Sequence, residues 1–351
     1  MDRADVAGGV PMRWPFSDPG MLDLVRGTPV SVLVVPWADG SPADAGRPRA
    51  LGALLAAASS RGLSVVGWVS GTADLRRAAA AAEAAGLSAL ATASAEPVDG
   101  FSVLRFRSRG AADLGSSGFL GDADAVWPGL RPTKTGPDVD AVSGATSRPW
   151  IDSNAWYVRL ARALMAPRAV WLAFDPPDTG RPLPADAYLQ AVADTRMVGA
   201  RWVVSLDPAL EAALREGRPS AREAWSRIAR GLALFESHPA WDALEPEGQI
   251  GVLSDFAGDH EFLSFEVLNL LARRSGLYRV LPAGRPEGVR LEGLDSVLCL
   301  DPGPPAPPLA RRLRVFAETG GTLVVPPGWE EAGAPEDGPL KARFRVHRIG
   351  K

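Results

Sequence analysis

Scarcities in the sequence exclude several classes of protein at once. There is a single cysteine, Cys299, in 351 residues, which rules out an intramolecular disulfide framework and a cysteine-rich metal site. Only three histidines occur, His238, His260 and His347. None stands at metalloprotease spacing from another histidine or a carboxylate, so no metal is expected. No apolar run reaches the roughly 18 residues that a membrane helix needs, and the opening MDRADVAGGVPMRWP lacks the apolar centre of a signal peptide. The chain is therefore expected to be cytoplasmic, or exported with its signal peptide absent from this sequence. Lysine is almost missing too, with 3 among 38 cationic side chains, and the net charge of −3 provides no field for nucleic acid or anionic lipid. Neither nucleic acid nor a membrane is expected as a partner.

What is present is ample core. At 46% hydrophobic and 23% charged, the chain has enough apolar material for one large domain and a smaller one. VSVLVVPW at 30–37 is a continuous apolar run, the pattern of a strand covered on both faces. LGALLAAASSRG, LSVVGWV, ADLRRAAAAAEAAG and LSALAT then alternate helix and strand, with Gly62 and Gly86 where left-handed helix caps belong. Further strands are expected at 102–106, 124–127, 169–175 and 201–207, with helices near 154–166 and 185–197 and a long Pro/Gly-rich loop at 128–150. Parallel strands with crossover helices predict a (β/α)8-type, TIM-like barrel over residues 1–243. Seven strands are recognised, so closure stays open.

The series restarts after a long amphipathic helix at 220–238. IGVLSDF, EFLSFEVLNLLARRSG, YRVL, LDSVLCLD, PPLARRLRVFAETGG and TLVVPP predict a second, smaller α/β domain over residues 244–351. ARFRVHRIGK ends the sequence as an alternating strand without a closing element, so the natural chain is expected to continue past Lys351.

In barrels the reactive groups gather at the carboxyl ends of strands. Asp175 in WLAFDPPD and Asp207 in VVSLDP end two of them. A carboxylate pair at such a rim suits acid and base work on a glycosidic bond; an Asp before Pro is equally a turn former or helix cap. Asp39 and Asp152 are secondary candidates. Eleven tryptophans against three tyrosines point the same way, because an indole offers a flat face for a sugar ring. Trp37, Trp68, Trp150 and Trp156, with Asn154 in the first turn of the expected helix, complete a substrate-binding set. Asp255, His260 and Glu261 in SDFAGDHEFLSFEVLN could face the barrel rim from the second domain, or simply compensate a helix dipole.

DSVLCLD followed by ARRLRVFAETGGTLVVPPG resembles the end of class I glutamine amidotransferase-like modules, in the version that follows the barrel of family 42 β-galactosidases. The resemblance implies a flavodoxin-like fold for the C-terminal domain, a glycoside hydrolase, a carbohydrate ligand, and assembly of copies through the C-terminal domain. Cys299 lies within a strand and not at a Gly-x-Cys-x-Gly elbow, so the module is expected to be non-catalytic and Cys299 inert. Such galactosidases present an Asn-Glu pair after the fourth strand and a Glu after the seventh; here the seventh expected strand ends in Asp207. Two readings stay open, a hydrolase using strand-end aspartates and a glycan-binding or assembly protein with a degenerate barrel. A third, covalent flavin, starts from Asp140 and SGAT at 143–146, which resemble a flavin-transfer signature. Arg148 stands where that signature wants a second Ser or Thr, and the stretch lies between barrel strands, so no cofactor is expected.

Overall fold

The computed structural model of the protein describes residues 3–41, 44, 46–70, 74–109, 118–128, 153–165, 167–177, 180–244, 247–274, 276–326 and 329. The chain divides into two compact units, Met1–Val158 with Pro167–Leu244, and Arg159–Ala166 with Glu245–Lys351.

In the first unit eight parallel strands follow one another around a nearly closed barrel. They are β1 (Val10–Arg13), β2 (Val30–Pro36), β3 (Ser64–Val69), β4 (Ala89–Thr92), β5 (Val103–Arg107), β6 (Phe119–Asp122), β7 (Ala169–Leu172) and β8 (Arg201–Trp202). The seam joins β1 to the residues just after β8. Arg13 N–H donates to the Val204 carbonyl at 2.8 Å, and Val204 N–H donates to the Pro11 carbonyl at 3.1 Å. Helices α1 (Arg47–Ser60), α2 (Leu75–Ala84), α3 (Ala155–Met165), α4 (Ala185–Arg196), α5 (Pro208–Arg215) and α6 (Pro219–Glu236) follow β2, β3, β6, β7 and, for the last two, β8. The architecture is TIM-like. Gly62 and Gly86 take positive φ of 72° and 79° just beyond α1 and α2, the left-handed stops expected of them.

The strands expected at 169–175 and 201–207 are shorter, ending at Leu172 and Trp202, so that Asp175 and Asp207 lie beyond them; two other strand expectations are corrected in place. The count of seven omitted β1, whose VPMR is too short and proline-containing to show alternation. The strand expected at 124–127 is irregular backbone, and β6 precedes it at Phe119–Asp122. FLGD has weak strand propensity, yet packing demands its glycine. A Cβ on Gly121 would come within 2.7 Å of Phe106 Cγ.

Alternate strand residues fill the barrel, among them Val32 and Val34, Ala89 and Ala91, Leu104 and Phe106, Trp171 and Ala173. Small side chains on β4 leave room for large ones elsewhere in the ring. Edge-to-face contacts run from Trp68 to Phe106, Phe119 and Trp171, at centroid separations of 5.0, 5.9 and 5.4 Å. A 3-10 turn at Arg3–Gly8 contributes Val6 to this interior, and its Ala7 carbonyl accepts the Trp171 indole N–H at 2.9 Å.

The second unit holds four parallel strands, β9 (Ile250–Ser254), β10 (Tyr278–Pro282), β11 (Ser296–Cys299) and β12 (Thr322–Val324), ordered β10-β9-β11-β12. Helices α7 (Glu261–Arg273) and α8 (Pro307–Glu318) connect them. Leu253, Leu281, Val297, Cys299, Leu309 and Leu313 form its core. Among the described residues no helix is long and apolar enough to cross a membrane.

Replacing Gly121 by Ala overpacks the Phe106 ring and is expected to lower stability by about 1–3 kcal/mol. Urea unfolding measures it, and an unchanged midpoint would mean that the contact yields freely.

Candidate functional site

The inward series of three strands runs on past the hydrophobic interior. Val66 is followed by Trp68, Trp171 and Ala173 by Asp175, and Val203 by Ser205. These residues meet at the carboxyl ends of the strands, where a cavity of about 230 Å³ is lined by Arg13, Trp14, Trp68, Asp175, Ser205 and Leu206, with proline walls. Asp175 and Trp68 are therefore brought together.

The charges in this cavity are paired. Arg13 Nη1 donates to Asp175 Oδ1, with the arginine side chain 31% exposed and the aspartate 77% exposed. The Arg13 guanidinium also sits over the Trp68 ring, 5.2 Å from its centroid, a placement that indole electron density favours. Trp14 is buried, edge-on to Phe16 at 5.1 Å, and its indole N–H meets no acceptor among the described residues. Among the described residues the cavity thus offers a cation, an aromatic wall and one carboxylate.

Asp207 is placed elsewhere. It is the N-cap of α5, fully buried, with Oδ1 accepting from Leu210 N–H at 2.9 Å and Oδ2 from Leu183 N–H at 3.0 Å and the Tyr188 hydroxyl at 2.8 Å. The Tyr188 oxygen in turn accepts Asp207 N–H at 2.8 Å. Burial and the Asp207 charge push the Tyr188 phenol well above its ordinary range. Asp-Pro at a helix start explains the arrangement, with the carboxylate satisfying orphan amides and Pro208 preset at the first helical position.

The remaining expected site residues scatter. Trp37 is buried, its indole N–H donating to the Ala78 carbonyl at 3.2 Å. Asp39 closes a turn by accepting Ser41 N–H at 2.7 Å, and the Ser41 hydroxyl and amide hold its carboxyl below the usual range. Trp150 and Asp152 lie outside the described residues, as does most of the loop at 128–150. In the second unit Asp255 is exposed and accepts Ala257 N–H at 3.1 Å, His260 immediately precedes α7, and Glu261 opens its first turn.

Asn154 and Trp156 belong to a buried network that the sequence reading missed. Arg109, just past β5, donates to Asp122 Oδ2 through Nε at 2.9 Å and to Asn154 Oδ1 through Nη2 at 2.5 Å. Its guanidinium lies 5.6 Å from the Trp156 ring centroid. Asn154 N–H and Nδ2 both donate to Asp194 Oδ2 at 2.9 Å, and the Ser153 hydroxyl donates to Oδ1 at 2.9 Å. Burial raises the Asp122 carboxyl pKa, with Arg109 acting against it. Among the described residues no cluster of His, Cys, Asp and Glu is placed to hold a metal ion.

Compared with known proteins, the chain matches no family model and no curated protein.

Breaking the buried pair by Asp122→Ala is expected to cost about 3–5 kcal/mol, and Asp207→Ala at least about 2 kcal/mol through the lost cap and stranded donors. Asp175→Ala should cost under about 1 kcal/mol, as exposed pairs do. Denaturant unfolding of the three variants tests this ranking; equal losses would erase the distinction between structural and rim carboxylates. Burial first, and Asp301 second, push the Cys299 thiol up to about 12. Iodoacetamide at pH 8 should accordingly modify it only after unfolding, and rapid modification of the native protein would contradict its placement.

Proposed function

We propose that the barrel binds a carbohydrate in the Arg13–Trp68–Asp175 pocket without cleaving it, as a glycosidase-like barrel that lacks the catalytic pair. The observation carrying this reading is the division of the two strand-end aspartates, Asp175 lining the pocket while Asp207 is consumed as a helix cap. Glycoside hydrolysis ordinarily needs two carboxyl groups about 5–9.5 Å apart across the scissile bond. Among the described lining residues there is one. Binding asks for less: an apolar and aromatic wall with a few convergent polar groups. A volume of about 230 Å³ corresponds to roughly eight water molecules at ~30 Å³ each. That is room for a single sugar ring, with any further rings left outside.

Hydrolysis is the second reading, favoured by the exposure of Asp175 at the rim, where a reacting carboxyl would need to be. In either case the second unit is taken as a non-catalytic, amidotransferase-like assembly module, supported by the burial of Cys299 within β11. Light scattering of the purified chain tests the assembly; a monomer at all concentrations would remove that role.

Titration with a panel of mono- and oligosaccharides, followed by tryptophan fluorescence and calorimetry, is expected to show binding while the same panel shows no hydrolysis. Trp68→Ala should weaken binding at least about tenfold, since it removes both the wall and the platform under Arg13. Turnover that disappears in a folded Asp175→Asn variant would establish the hydrolase instead. Neither binding nor turnover with any saccharide would end the carbohydrate assignment.

A further inference from the structure

Resting on the carbohydrate reading above, we propose that the sugar selected by this pocket carries a carboxylate, which takes the place of Asp175 on Arg13. Arg13 is permanently charged, and its planar fork of donors matches a carboxylate. The guanidinium is held in orientation by the Trp68 ring and is only 31% exposed at its side chain. A neutral sugar entering the pocket would strip water from that cation and return no charge, whereas a carboxylate compensates it directly.

Asp175 shows how the exchange occurs. Its carboxylate is 77% exposed and, among the described residues, Arg13 is its only side-chain partner. Pairs of this exposure contribute no more than about fivefold to an equilibrium, so a ligand carboxylate enclosed by the pocket replaces it at little cost. Once displaced, Asp175 is an acceptor at the rim for a ring hydroxyl. The Arg109–Asp122 pair marks the contrast: its aspartate side chain is 0% exposed, so no ligand can take that carboxylate's place.

Isothermal titration with glucuronate and galacturonate, with glucose and galactose, and with acetate and phosphate tests the proposal on the intact chain, Arg13→Gln and Asp175→Asn. The uronates should bind at least about tenfold tighter than the neutral sugars, and Arg13→Gln should abolish that preference. Asp175→Asn should tighten uronate binding about two- to fivefold by removing the internal competitor. Should Arg13→Gln not fold, Arg13→Lys retains the charge without the fork and should keep a weakened preference. Neutral sugars binding as well as uronates would overturn the proposal and leave the carbohydrate reading standing. Acetate or phosphate binding as tightly as uronates would overturn it in favour of a bare anion site, and binding of no sugar would remove both readings.

Discussion

Two backbone hydrogen bonds, Arg13 to Val204 and Val204 to Pro11, bring the eight parallel strands to near closure, and the pocket depends on them. β1 is four residues long, so the residue that makes the seam is also the one whose side chain reaches the mouth. Without the seam, Arg13 would have no reason to stand opposite Trp68 and Asp175, which come from the third and seventh strands. Closure also removes the exposed sheet edges that an open arrangement would leave at β1 and β8. The interior supports it by size matching: Ala89 and Ala91 give way to a ring of aromatics, and Gly121 makes space for Phe106. Fold and site therefore share one constraint at the first strand.

The charges at the carboxyl face divide by burial into two kinds. Arg109, Asp122 and Asp194 are joined through Asn154 in one hydrogen-bonded network; removing the fully buried Asp122 leaves the Arg109 charge without its carboxylate, which is where large stability losses originate. Arg13 and Asp175 form a single pair open to solvent on the aspartate side. The first set holds the segments after β5 and β6 to the start of α3 and to α4. The second is available for exchange. Electrostatic strength and functional availability run in opposite directions here, because the solvent that weakens a pair also lets a ligand compete for it.

The barrel was legible wherever the sequence in and around a strand kept a continuous apolar pattern. β2, β3 and β7 read directly from VSVLVVPW, LSVVGWV and AVWLAFD, and the helix stops read from Gly62 and Gly86. β1 and β6 did not read: VPMR and FLGD carry a proline and a glycine and lie outside a continuous apolar stretch, whereas β4 and β7, equally four residues long, lie within one; the strand state of β1 and β6 is imposed by neighbours, not by local preference. The same limit applied to the site. Asp175 and Trp68 were visible as strand-end residues, while Arg13 was hidden because its strand was hidden. Trp37 and Trp156 illustrate the converse error. Indole suits sugar stacking, but it equally suits burial with one hydrogen bond, as Trp37 makes to Ala78, or a cation above the ring, as Trp156 has in Arg109. Residue type alone does not distinguish these uses.

The different fates of the two aspartates follow from the prolines behind them. Both continue an inward series past the end of a strand, Trp171, Ala173, Asp175 after β7 and Val203, Ser205, Asp207 after β8, so strand parity alone would send both to the pocket. After Asp207 comes one proline, Pro208, whose preset φ starts α5 at once. The aspartate becomes the N-cap, and its oxygens turn to the helix amides. After Asp175 come two, Pro176 and Pro177. The second disfavours helical geometry at the first, and α4 begins only at Ala185. With no helix start beside it to cap, the Asp175 carboxylate stays at the rim and finds Arg13. One proline makes a structural carboxylate and two in a row leave an available one, which is why a pair of similar segments, each Asp-Pro, yields a single acidic group among the described residues of the pocket lining.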